Sequence, residues 1–304
     1  MTAPASRAEP GTERRVVSLV PAATEILRHL GVEPVGISHS CENLDTGAPV
    51  LTSSIVPEGL SQGEIDRFAS AASAAGESLY RVDELLLDRL KPDVIVTQGV
   101  CEVCAVGPGE VARAVTTIPR PLPTVLLEGT RLDQLYSDMA KVGAAIGRDV
   151  ADDVADLRAC VDAVRAAVAG RPRPRVAVVE WLDPPFLAGH WVPDMIEAAG
   201  GIPIGPAAGV PSPRATWDEI AAEKPDIVLF AFCGYGLEAA VTEIAASTLP
   251  LPEGAKLVAL DARYFCALTP RVVRGVEILA GLIHPDICPE PEDDEAAPIE
   301  RGEA

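Results

Sequence analysis

Cys101 and Cys104 stand in the run Gln98-Gly99-Val100-Cys101-Glu102-Val103-Cys104, a spacing that lets two sulfurs reach one metal ion. His39 and Cys41, in the earlier run Ser38-His39-Ser40-Cys41, are of the types that would complete a four-ligand set for zinc or iron. The same cysteine pair fits a redox dithiol, with Cys101 activated at a helix start. It equally fits small apolar side chains lining a turn. One CxxC without a second pair does not choose among the three.

Aromatic residues make up 4% of the chain, yet Trp181, Phe186 and Trp191 fall in one short segment that also carries His190. Such clustering suits a broad, flat ligand that stacks on rings. His190 is of a type to ligate a metal or to hydrogen-bond an amide or carboxylate, or it is an ordinary exposed histidine. Trp181 and Phe186 would serve equally well to cap a hydrophobic core. Phe232-Cys233-Gly234-Tyr235 and Arg263-Tyr264-Phe265-Cys266 each follow an apolar run, so Phe232, Cys233, Tyr235, Tyr264 and Phe265 join the candidate ligand contacts. From the first half come Gln98, Tyr80 and the helix opening Pro21-Ala22-Ala23-Thr24, whose small side chains leave amide donors for a ligand's polar edge.

The elements that must position these residues announce themselves by repetition. Leu90-Lys91-Pro92-Asp93-Val94-Ile95-Val96-Thr97-Gln98 is echoed by Glu223-Lys224-Pro225-Asp226-Ile227-Val228-Leu229-Phe230-Ala231: a helix end, a turn and a buried strand, twice. Strand patterns also fall at Val16–Val20, Val35–Ser38, Pro123–Leu127, Arg175–Glu180 and Val258–Leu260. Helix patterns fall at Pro21–His29, Val82–Leu90, Met195–Ala199, Trp217–Ala222 and Val272–Ile283. Alternating strands and helices predict an α/β fold, two Rossmann-like lobes with parallel sheets. Between them, apolar residues recur at helical spacing from Leu132 to Ala169, predicting one long interdomain helix with a break, if any, near Gly147. Cys160 would face the core from it. The expected division is a disordered tail at 1–14, lobes at 15–130 and 171–288, a linking helix at 131–170, and an acidic disordered tail at 289–304. Ligands of such sheets sit beyond the carboxyl ends of the strands, where the candidate loops would meet.

The net charge of −20 argues against nucleic acid or an anionic membrane surface as partner. No apolar run is long enough to span a bilayer. The N-terminal stretch lacks an export pattern or a lipid-bearing cysteine, so the expected location is the cytoplasm, or the periplasm or cell surface if the true start lies upstream. Seven cysteines then read as thiols or ligands rather than a disulfide frame. There is no phosphate loop, GxSxG elbow or HExxH pair, which favours a binding protein over an enzyme.

The stretch Val17-Ser18-Leu19-Val20-Pro21-Ala22-Ala23-Thr24-Glu25-Ile26-Leu27, the pieces Gly31-Val32, Val35-Gly36-Ile37-Ser38 and Leu90-Lys91-Pro92-Asp93, and the ending Thr269-Pro270-Arg271-Val272-Val273 to His284-Pro285 resemble class III periplasmic binding proteins of the iron/B12 type. The opening is similar to that of cobalamin-binding members. The resemblance covers about Arg15 to Pro285 and implies a cleft that holds cobalamin, a related corrinoid or another metal chelate. It also implies docking to an ABC permease through one acidic residue per lobe, with Glu84 and either Asp218 or Glu219 nearest in position. A corrin or porphyrin-like ring would suit the aromatic loop. The alternative readings are a cytoplasmic metal-binding or thiol-dependent protein built on His39, Cys41, Cys101 and Cys104, or an importer component with a mis-assigned start.

Overall fold

The computed structural model describes residues 14–41, 47–100, 108–116 and 121–300. In the first lobe the order is β1 (Val16–Ser18), α1 (Pro21–His29), β2 (Thr52–Ser54), α2 (Gln62–Ala74), β3 (Tyr80–Val82), α3 (Glu84–Leu90), β4 (Val94–Gln98), α4 (Pro108–Thr116) and β5 (Thr124–Leu127). Strands β1, β4 and β5 form a parallel sheet in the order β1-β4-β5. Strands β1 and β4, buried on both faces, read as continuous apolar runs, while β5 at the edge is more open. The expected strand at Val35–Ser38 contributes only single bridges, Gly36 to Val17 and Ile37 to Val50. Strands β2 and β3 make a separate antiparallel pair.

The linking region is two helices rather than one: α5 (Gln134–Ile146) and α6 (Ala151–Ala167). Gly147 ends α5 with φ of 74°, a left-handed cap that glycine adopts without steric cost. Only Val161 of α6 is fully buried, and Cys160 is exposed instead of facing the core. Helix α5 turns Leu135, Met139 and Val142 inward, and their cluster includes Val16 and Val96 of the first lobe with Val176, Leu229 and Val276 of the second. A shared core ties both lobes to the linker, which opposes large hinge motion.

The second lobe runs β6 (Arg175–Leu182), β7 (Pro185–Leu187), α7 (Val192–Ala198), β8 (Ile202–Ile204), α8 (Trp217–Ala222), β9 (Ile227–Phe230), α9 (Leu237–Ala246), β10 (Lys256–Leu260), α10 (Arg271–Ile283) and β11 (Ala296–Pro298). Its parallel centre is β10-β9-β6, with β8 also parallel on β6, while β7 and β11 run antiparallel at the edges. The acidic tail is therefore not wholly disordered. Strand β11 covers the open edge of β10, satisfying backbone groups that an edge leaves unpaired. Glu295, just before it, is 3% exposed and accepts from Arg274 Nε at 2.8 Å and Nη2 at 2.7 Å. Residues 1–13 and 301–304 lie outside the described residues.

The repeated phrase folds the same way twice. Lys91 and Lys224 both adopt left-handed φ, at 46° and 49°. Asp93 Oδ2 accepts from Arg15 N at 2.8 Å, and Asp226 Oδ2 from Arg175 N at 2.6 Å. Each clasp fixes the start of a lobe's first strand to the turn before its neighbour.

Candidate ligand-binding cleft

Helix α1 opens directly after β1, and its first turn is packed inward: Ala22, Ala23 and Thr24 are buried and only Pro21 is partly open. Thr24 Oγ1 donates to Ser18 Oγ at 2.7 Å and lies 3.1 Å from Cys41 Sγ. Ser18 Oγ in turn donates to the Val20 carbonyl at 2.9 Å. Burial pushes the Cys41 thiol up, although the Thr24 contact works in the other direction. Cys41 is thus a protonated structural thiol, tied to α1.

His39 engages a different partner. Its Nδ1 is 2.6 Å from Thr52 Oγ1, its backbone N–H donates to the same oxygen at 2.9 Å, and Nε2 is 3.3 Å from Ser40 Oγ. The ring lies 5.6 Å from that of Tyr80. Burial lowers the His39 pKa, so the imidazole is neutral near pH 7 and able to accept a hydrogen bond or bind a metal. Among the described residues no group of three or more His, Cys, Asp or Glu is placed to hold a metal ion. Cys101 and Cys104 lie outside the described residues. Gln98 ends β4, partly open at the same edge of the sheet.

The facing wall is built on β6 and β9. An aromatic series leads outward from the core of the second lobe: Trp217 to Phe230, Phe230 to Phe232, Phe232 to Tyr235, and Tyr235 to Trp181, with ring separations of 6.3, 5.8, 5.9 and 6.3 Å. Phe232 is fully buried and supports Tyr235, so Trp181 and Tyr235 are the members that reach the cleft edge. Cys233 follows at the tip of β9 beside the exposed Gly234.

Trp191 and Phe265 turn into the core, while His190 and Tyr264 are half-buried. Trp191 is 9% exposed and its Nε1 donates to the Phe265 carbonyl at 2.7 Å. Phe265 is 1% exposed. Tyr264 stacks under the Arg263 guanidinium and neighbours Glu295. His190 sits at a left-handed turn, φ 50°, donating its N–H to Val210 O at 2.7 Å. Trp191 and Phe265 anchor loops of the second lobe; their residue type was legible in the sequence, their direction was not.

Helix α2 supplies contacts the sequence reading missed. Leu182 N donates to Gln62 Oε1 at 2.6 Å, and Trp181 Nε1 donates to Gln62 O at 3.2 Å. A Cβ on Gly63 would lie 2.7 Å from Asp183 Oδ2, so a side chain there would require the Asp183 carboxylate to move. Arg214 Nη2 reaches Asp66 Oδ1 at 2.7 Å and Ser70 Oγ at 2.9 Å. The signal was present: Ser61 and Glu64 form a reciprocal capping box, a helix-start signature. On other faces the lobes are joined by Arg271 with Glu25 at 2.9 Å and by Arg131 with Asp194 at 2.8 Å.

Glu84 lies partly buried in the first turn of α3 and Asp218 exposed in the first turn of α8, two helices that each lead into a Lys-Pro-Asp turn. Glu219 is engaged in the capping box with Thr216. No helix among the described residues is long and apolar enough to cross a membrane.

Solved structures share the fold. A periplasmic haem-binding protein from Pseudomonas aeruginosa matches with a TM-score of 0.66 at 17% identity, over 96% of this chain and 100% of its own. The vitamin B12-binding protein BtuF of Vibrio cholerae matches with 0.59 at 17%, over 90% and 98%. An ABC transporter substrate-binding protein from Listeria monocytogenes matches with 0.62 at 16%, over 90% and 100%. No curated protein matches the sequence. The family model for periplasmic binding proteins matches residues 16–249, a span from β1 through α9 that includes both walls of the cleft, and the chain accordingly belongs to the class III periplasmic binding protein family.

Proposed function

We propose that this chain is the substrate-binding component of an ABC uptake system and holds cobalamin or a related corrinoid between its lobes. The observation that carries the reading is the pairing of an aromatic edge, Trp181 with Tyr235, with a neutral polar wall of His39 and Ser40, backed by the buried Thr52 and Tyr80. A corrin offers a wide apolar face to stack and a periphery of amides to hydrogen-bond. Haem presents carboxylates instead, which call for basic partners. Two arginines near the second-lobe wall are already matched: Arg214 to Asp66, and Arg263 to Asp261 and Asp294. The loop sequences 42–46 and 101–107 contain no Lys or Arg. The pairing of Arg214 and Arg263 supports the corrinoid over haem.

Permease docking is assigned to Glu84 and Asp218, with Glu219 disfavoured because its carboxylate caps its own helix. Titration of the purified protein with cobalamin and, separately, hemin tests the ligand assignment, followed by the corrin and Soret absorbance. Cobalamin binding in the micromolar range or tighter, with weaker hemin binding, is expected. Hemin binding without cobalamin binding would overturn the choice of ligand.

A further inference from the structure

Two thiols meet where the second lobe's central strands end. Cys233 lies in the loop after β9 and Cys266 in the loop after β10, and neither is in a disulfide. The loops run side by side: Ala262 N donates to Tyr235 O at 3.3 Å, and Cys233 N is held by Glu180 O at 3.1 Å. Cys266 N is likewise held by Ala262 O at 2.9 Å. The Cys266 thiol donates to the Ala231 carbonyl at 3.3 Å, and its sulfur is within side-chain hydrogen-bond reach of Cys233. Backbone anchoring on both sides therefore presents two sulfurs to each other at the edge of the Tyr235 wall.

We propose that Cys233 and Cys266 form a modification site that closes to an intramolecular disulfide, with a small-molecule disulfide such as oxidised glutathione as the oxidant. The Cys233 thiolate attacks one glutathione sulfur, the glutathione S–S bond breaks, and one glutathione leaves as thiolate. Cys266, after losing its proton to solvent, attacks Cys233 of the mixed disulfide and expels the second glutathione. Two protein thiols are oxidised, one glutathione disulfide is reduced, and two protons are released. Cys233 acts first because its hydrogen bond with Cys266, together with burial and the Cys233 charge, raises the Cys266 thiol well above its ordinary value. Glu180 and Asp261 push the same way, so closure accelerates as the pH becomes alkaline. The resulting bond ties the β9 and β10 loops together and stiffens the wall that carries Tyr235.

Reduced full-length protein is treated with oxidised glutathione at mildly alkaline pH, quenched by alkylation and mapped by peptide mass spectrometry. The expected product is a Cys233–Cys266 cross-linked peptide, two hydrogens lighter than the reduced pair, formed ahead of any other cysteine pairing. Cys266→Ser is expected to stop at a glutathione adduct on Cys233. Full alkylation of both cysteines, a persistent adduct on Cys233 in the unaltered chain, or Cys233 linked to another cysteine would each overturn the proposal.

Discussion

Gln62 of the first lobe accepts the backbone N–H of Leu182 of the second at 2.6 Å, which places a side-chain amide across the mouth between the lobes. Leu182 is 2% exposed, so the N–H has no ready replacement from bulk water. Removing the acceptor leaves a buried donor unsatisfied, which costs about 1–3 kcal/mol. Gln62→Ala is therefore expected to loosen α2 from the β6–β7 turn. Hydrogen exchange at Leu182 should speed up by roughly tenfold or more at that energy. An unchanged Leu182 rate would show that the contact does not hold the cleft closed.

Trp181 and Tyr235 pack edge to face at 6.3 Å, at the outer end of an aromatic series rooted in Trp217. Truncating either ring removes a flat surface of the kind that dominates small-ligand binding. Trp181→Ala and Tyr235→Ala are each expected to weaken corrinoid affinity about 10- to 100-fold, equal to about 1.4–2.8 kcal/mol. Phe265→Ala should instead lower stability by about 3–5 kcal/mol, as expected for a large buried ring, with its effect on affinity secondary. Equal losses of affinity for Trp181→Ala and Phe265→Ala, at matched folded fractions, would place the ligand elsewhere.

Acid should destabilise this protein in two stages. Burial lowers the pKa of His39 and His190 and, with the nearby Arg171 adding to it, of His284. A histidine depressed in the folded state contributes stability above its unfolded pKa of about 6.5 and loses it as the pH falls below that value. Glu295 follows at lower pH. Burial alone would raise it, but the Arg274 hydrogen bonds and charge together with the Glu292 amide outweigh burial and hold it below the usual carboxylate range. Its contribution is present above about 4.3 and lost below. The melting temperature should decline from about pH 6.5 downward and steepen near 4, with Glu295→Gln removing part of the second stage. A melting temperature that rises on acidification from neutral pH would contradict this assignment.

Much of the fold was legible because its signals are local. Val94–Gln98 and Ile227–Phe230 are buried on both faces, and such strands show as apolar runs after a Lys-Pro-Asp turn. Gly147 marked a possible break, and its left-handed conformation does split the linker. What was not legible depends on direction and partner. Trp191 and Phe265 have the chemistry of ligand contacts, yet their rings turn into a shared core that no spacing rule reveals. Glu295 sits in an acidic run that reads as solvated, and Arg274, 21 residues earlier, together with the Glu292 amide holds it inside. Gln62 was hidden in a polar stretch although its capping box was visible, because a polar helix carries little apolar periodicity.

Lys91 and Lys224 hold φ of 46° and 49° at corresponding turns, a conformation that costs a non-glycine residue about 1–2 kcal/mol. Glycine would remove that cost while adding about 0.5–1 kcal/mol of unfolded-state entropy. The first effect exceeds the second, since both lysines are exposed and their side chains have little packing to lose. Lys91→Gly and Lys224→Gly should each stabilise the protein by about 0.5–1 kcal/mol, read as a higher denaturant midpoint at unchanged slope. Asp93→Ala and Asp226→Ala should each act in the opposite sense by about 1 kcal/mol, since each carboxylate accepts the N–H that fixes its lobe's first strand. If the duplication conserves mechanics as well as shape, the two members of each pair will match; a glycine that stabilises one turn and destabilises the other would show that the turns carry different loads.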